Sequence, residues 1–141
     1  ALHILEREPY RVDWDRLSRN PNAIHLLENN PEKIDWSELS RNPNALPILE
    51  REPDKIDWKY LCMNPNAMHL IEKNPDKINW FFLSYNPNAI ELLEKNPDKI
   101  EWLSLCFNTN ALHILEREPD KINWYWLSSN PSIFVEEYSC K

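Results

Sequence analysis

At 141 residues the chain has the length of one domain, and 42% of it is apolar, enough for a continuous core. It contains no Gly and twelve Pro, which removes phosphate-cradling Gly-rich loops and the Gly-rich dinucleotide fingerprint. A formal net charge of −7 argues against a binder of nucleic-acid backbones, which needs a surplus of Lys and Arg on one face. No apolar run is long enough for a membrane span.

The chain starts in mid-repeat at Ala1 without Met, so a preceding segment is expected. Trp then marks a fixed period of 22 residues: Trp14, Trp36, Trp58, Trp80, Trp102 and Trp124. Pro9, Pro31, Pro53, Pro75, Pro97 and Pro119 keep the same step, as do Leu17 and its five successors to Leu127. Recurrence at this length reads as a solenoid or array. Residues 1–131 are expected to form six tandem repeats, the first incomplete at its N-terminus, and residues 132–141 a C-terminal cap. Glu136 and Glu137 stand in that cap where the pattern wants Leu or Ile.

Each unit is expected to hold two short helices. The first runs Asp35 to Asn42 in "DWSELSRN". Asp35, like Asp13, Asp57, Asn79 and Asn123, suits a helix N-cap, and Glu101 is the poor exception. Trp36, Leu39 and Ser40 share one face. Asn42 before Pro43 ends the helix, because the residue preceding Pro is pushed out of the α region. The second helix is expected from about Ala45 to Arg51, capped by Asn44, with Pro47 in the first turn where its missing N–H costs nothing. Pro53 closes it. Helices this short do not persist alone in water, so stacking of Trp36, Leu39, Leu46, Ile48, Leu49, Ile56 and their equivalents must hold them. Six units at about 10 Å each give an all-α rod or arc on the order of 50–60 Å long.

The stretch "NPNAIHLLENNPEKIDW" (Asn20 to Trp36), with the ending "NPSIF" (Asn130 to Phe134), resembles a repeat family of large DNA viruses that infect protists. The "LSxNPNA" part is similar, more loosely, to the leucine-rich-repeat variant of bacteria, a right-handed stack of short helices. The Trp and the "PDKI" segment have no counterpart there. The resemblance implies a viral origin and an α-solenoid. It implies a place inside the infected cell, in the cytoplasm or in the virus particle. It supplies no catalytic residues and no cofactor.

Rows of reactive side chains have plain readings. His25, His69 and His113 recur at one position, with His3 before them, yet repeats stacked at about 10 Å hold such side chains too far apart to share a zinc. The acidic row from Glu6 to Glu116 and the basic row from Arg11 to Lys121 read as a charge ladder between repeats. The six periodic Trp read as core. Cys62 and Cys106 stand where other repeats have Ser, and read as small residues against the core; with Cys140 the count is odd and no metal spacing appears.

One feature is not needed by a repeat. One, two and five residues after each Trp, the first helix carries Asp15, Arg16, Arg19 and then Ser37, Glu38, Arg41. From the third unit these positions become Tyr60 and Met63, then Phe81, Phe82 and Tyr85, then Leu103 and Phe107, then Tyr125 and Trp126. A contiguous apolar patch of this kind marks an interaction site. The sequence therefore predicts a non-enzymatic module for protein binding or assembly, its partner either a host or viral protein or a second copy. A structural component of a virus particle is the alternative. No metal, cofactor, nucleic acid or membrane is expected.

Overall fold

The computed structural model describes residues 9–134. These residues form eleven α-helices and seven 3-10 helices, with no strand among them. The first helices of successive repeats are α1 (Trp14–Arg19), α3 (Trp36–Ser40), α5 (Trp58–Leu61), α7 (Trp80–Tyr85), α9 (Trp102–Leu105) and α11 (Trp124–Leu127). The second helices are α2 (Ile24–Glu28), α4 (Leu46–Arg51), α6 (Met68–Lys73), α8 (Ile90–Lys95) and α10 (Leu112–Arg117). A repeat also holds a third element that the sequence reading lacked. The "PDK" segments are 3-10 turns, as in Pro53–Lys55, Pro75–Lys77 and Pro97–Lys99. Pro53 thus opens a turn as well as closing α4: Pro at a helix start costs no hydrogen bond.

Side-chain capping fixes where each first helix begins. Asp35 Oδ1 accepts from the Glu38 amide at 2.7 Å, and Asp13, Asp57, Asn79 and Asn123 act alike. Glu101, one methylene longer, makes no such bond. Capping of the second helices by Asn44 and its equivalents does not occur. Their N-cap residues are alanines such as Ala45, without a side-chain cap. The Asn44 amide instead donates to the Pro21 carbonyl of the previous repeat at 3.0 Å, and Asn66, Asn88 and Asn110 do the same to Pro43, Pro65 and Pro87.

Asn42, Asn64, Asn86, Asn108 and Asn130 do more than stop a helix. Each is buried. Each Nδ2 donates to two carbonyls of the preceding repeat, 24 and 22 residues back, at 2.7–3.1 Å. Each Oδ1 accepts from the amide two residues on. The side chain thereby uses three of its hydrogen-bonding positions where water is excluded. Ser18, Ser40 and Ser84 add a further tie, accepting the amides of Asp35, Asp57 and Glu101 at 3.0 Å, and Cys62 Sγ takes the Asn79 amide at 3.4 Å.

The core lies between these ties. First helices contribute Leu39, Leu61, Leu83 and Leu105, and second helices Leu27, Leu49, Ile71, Leu93 and Leu115, all almost wholly buried. Each such side chain contributes about 1.5–3 kcal/mol by leaving water. Successive first helices touch, α1 on α3, α3 on α5 and α7 on α9. Trp14, Trp36, Trp58, Trp80 and Trp102 lie half-buried against this core. No described residue has positive φ, which is why the chain does without Gly: every bend uses backbone that Asn and Pro accept. No described helix is long and apolar enough to cross a membrane.

Candidate protein-binding face

In the first five units Trp, Leu and the Ser or Cys after it turn toward the core, and the positions one, two and five residues after Trp look outward, apart from buried Ser104. In α5, α7, α9 and α11 they hold the apolar residues singled out from the sequence. The structure divides them into two groups. Phe81, Tyr85, Leu103, Tyr125 and Trp126 are exposed, from 38% for Trp126 to 77% for Tyr125. Tyr60, Met63, Phe82 and Phe107 are half-buried. The half-buried rings are packing neighbours of the exposed ones.

Edge-tilted ring contacts run across the repeats. Tyr60 meets Phe82 at 5.7 Å between centroids, and Phe82 meets Phe81 at 5.2 Å. Tyr85 meets Phe107 at 6.0 Å, Phe107 meets Trp126 at 5.3 Å, and Trp126 meets Tyr125 at 4.8 Å. Both clusters share α7, so the rings form one band from α5 to α11. Such contacts add about 0.5–1.5 kcal/mol each beyond area burial. Met63 and Leu103 are the non-aromatic members of the set, half-buried and exposed respectively. α7, α9 and α11 carry no charged residue at all.

The band ends on charge. Lys59 Nζ lies 5.2 and 5.1 Å from the Tyr60 and Phe82 centroids, and the Arg41 guanidinium 5.7 Å from Tyr60. Arg41 is held by Glu38 through two hydrogen bonds at 2.9 and 2.6 Å. Beyond it, Asp15, Arg16 and Arg19 on α1 are exposed.

The basic row behaves otherwise than a simple ladder with the acidic row. Lys55, Lys77 and Lys121 lie over the faces of Trp36, Trp58 and Trp102, one repeat back, at 6.0, 4.7 and 4.5 Å. The constant spacing of 19 residues from Trp to Lys was the available sign. The acidic row pairs instead with second helices of the next repeat: Glu28 with Arg51, Glu50 with His69, and Glu94 with both Arg117 and His113. Hydrogen bonds from Arg117 and then His113 hold the Glu94 carboxyl below the ordinary range. Trp124, read as core like its five equivalents, is 65% exposed; its place in the repeat gave no warning.

Other chemistry finds little room. Clefts of about 200 and 180 Å³ recur beside Trp102 and Trp36, bordered by Glu94 with Arg117 and by Glu28 with Arg51. A third of about 270 Å³ lies by Trp124. All three fall below the usual size of a small-molecule site, about 300–1,000 Å³. A wider depression of about 500 Å³ is bordered by exposed Arg16, Arg19, Asn20 and Pro21. Among the described residues no group of three or more His, Cys, Asp or Glu is placed to hold a metal. Cys62 and Cys106 are buried thiols, and burial pushes that of Cys62 up. His3, Cys140, Glu136 and Glu137 lie outside the described residues. Comparisons with protein families, curated proteins and solved structures found no match.

Proposed function

We propose that the chain is an α-solenoid scaffold of stacked 22-residue repeats that binds protein through the aromatic band of its third to sixth repeats. The observation that carries this reading is the separation of roles along each first helix. In the first five units Trp, Leu and the Ser or Cys after it turn inward and complete the repeat, yet from the third unit the outward positions hold large rings that the repeat does not require. The first two units manage with Asp15, Arg16, Ser37 and Glu38 in the same places. Exposed aromatic side chains cost solubility and dominate binding energy where they occur at interfaces. Binding needs no reacting group, so the reading is non-enzymatic.

The test replaces Phe81, Tyr85 and Tyr125 with Ser together. These side chains are exposed, so the far-UV circular dichroism of the variant is expected to match the parent. Immobilised parent and variant are then compared for capture of proteins from infected-cell lysate by mass spectrometry. Loss of specific capture with retained helicity supports the reading. Equal capture by both removes the band from binding.

A further inference from the structure

Resting on that reading, we propose that the occupant of the aromatic band is a second copy of this chain, bound face to face with the two bands antiparallel. Three observations lead there. The first is charge. Two chains of net charge −7 repel unless they meet where neither is charged, and α7, α9 and α11 provide that surface. A partner recognised by opposite charge would need charged residues across the band, and of its four helices α5 alone carries one, Lys59 at the band's end.

The second is area. Taking about 200 Å² for a large apolar side chain, the exposed fractions of Phe81, Tyr85, Leu103, Tyr125 and Trp126 give roughly 500 Å² per chain, and about 600 Å² with the half-buried rings. Two such faces bury about 1,200 Å², the lower bound for a specific interface. An interface at that lower bound fits a weak, reversible dimer.

The third is direction. A two-fold axis along the band sets every repeat against its own copy. It would oppose Lys59 to Lys59, and Arg16 and Arg19 to themselves. A two-fold axis across the band sets α5 against α11 of the second copy. The Lys59 ammonium, already 5.2 Å from the Tyr60 ring centroid, then meets the Tyr125 and Trp126 rings, an attraction of cation for aromatic face. The charged outward positions of α1 fall beyond the end of the contact.

The experiment is sedimentation velocity of the whole chain from about 1 to 300 µM, a range that brackets a weak interface. A concentration-dependent dimer is expected, with its dissociation constant raised at least about tenfold in Tyr85→Ser/Tyr125→Ser. A chain that stays monomeric throughout overturns the proposal, as does a dimer that the double variant leaves unchanged. Orientation is read by bis-maleimide cross-linking in a Cys140→Ser background, where Cys62 and Cys106 are buried. Lys59→Cys/Ser129→Cys, which leaves every ring of the band in place and uses exposed Ser129 beside α11, is expected to cross-link between copies and Lys59→Cys alone is not; the reverse overturns the antiparallel arrangement. A monomeric chain whose band still captures other proteins would remove the dimer and leave the binding reading standing, so the two fail separately.

Discussion

Asn86→Ala separates a helix-stopping residue from one that ties repeats together. Asn86 is wholly buried. Its Nδ2 donates to the Cys62 carbonyl at 2.9 Å and the Asn64 carbonyl at 3.0 Å, and its Oδ1 accepts from the Asn88 amide at 2.9 Å. Alanine removes all three bonds, and with them a weak Nδ2 contact to Met68 Sδ at 3.8 Å. At about 1 kcal/mol each the direct loss is about 3 kcal/mol. The Asn64 carbonyl keeps a second donor, the Ala67 amide at 3.2 Å, whereas the Cys62 carbonyl and the Asn88 amide lose their partner inside the structure. Water entering the vacated space limits that further penalty to about 1 kcal/mol. A total of about 3–4 kcal/mol is a large share of a typical domain stability of about 5–15 kcal/mol. Urea unfolding followed by Trp fluorescence measures it. Asn20→Ala is the control, since the Asn20 side chain is exposed and among the described residues accepts from the Asn22 amide alone; its cost is expected near 0.5–1 kcal/mol. Equal midpoints for the two variants would refute the ladder as a source of stability. Asn86→Asp sharpens the test through pH. A buried carboxylate facing two carbonyl oxygens has its folded pKa raised above the unfolded value of about 3.9. Its stability relative to the parent is therefore best below about pH 4 and falls as pH rises, opposite in sign to an ordinary paired Asp.

Thr109 stands where other repeats have Pro, is exposed, and its amide is in none of the backbone hydrogen bonds; Thr109→Pro is expected to stabilise by about 0.4–1 kcal/mol by restricting the unfolded chain, and a lower melting temperature would show that this loop differs from its equivalents. Lys77→Met removes the ammonium 4.7 Å from the Trp58 ring and is expected to cost about 0.5–1 kcal/mol while leaving helicity unchanged, read as a lower urea midpoint in the variant. Glu94 has its carboxyl held below the ordinary range by Arg117 and then His113, so its contribution is present above that range and is lost as pH falls through the lowered value. Arg117→Met is expected to move the carboxyl titration seen by NMR upward, and high salt to shrink the difference, because the pair is exposed.

The period, the two helix types and the inward set were legible because each depends on neighbours within one or two turns. Trp36, Leu39 and Ser40 share a face by helical geometry alone, and Asp35 caps the helix as its residue type suits it to do. The outward band was legible for the converse reason. Once the inward positions are assigned, Phe81, Tyr85 and Tyr125 have no local reason to be apolar. What the band takes as partner is a property of two surfaces, and a single sequence describes one.

The asparagine ladder was illegible for a physical reason that holds for repeats in general. Local rules read Asn42-Pro43 as a stop, whereas α3 already ends at Ser40 with Arg41 as its C-cap. Asn86, the equivalent of Asn42, has φ −73° and ψ 119°, extended backbone that ends α7. The same conformation points the side chain at the preceding repeat, where its amide finds carbonyls 22 and 24 residues away. A residue can thus satisfy a local rule and a distant one at once, and the local rule hides the other. The distinction lies in what else would serve. Ser, Asp or Gly would also end a helix before Pro, but none supplies two amide hydrogens and an acceptor together. That the position is Asn in Asn20, Asn42, Asn64, Asn86, Asn108 and Asn130 without exception, while the Pro after it gives way once to Thr109, is what a ladder requires and a stop does not.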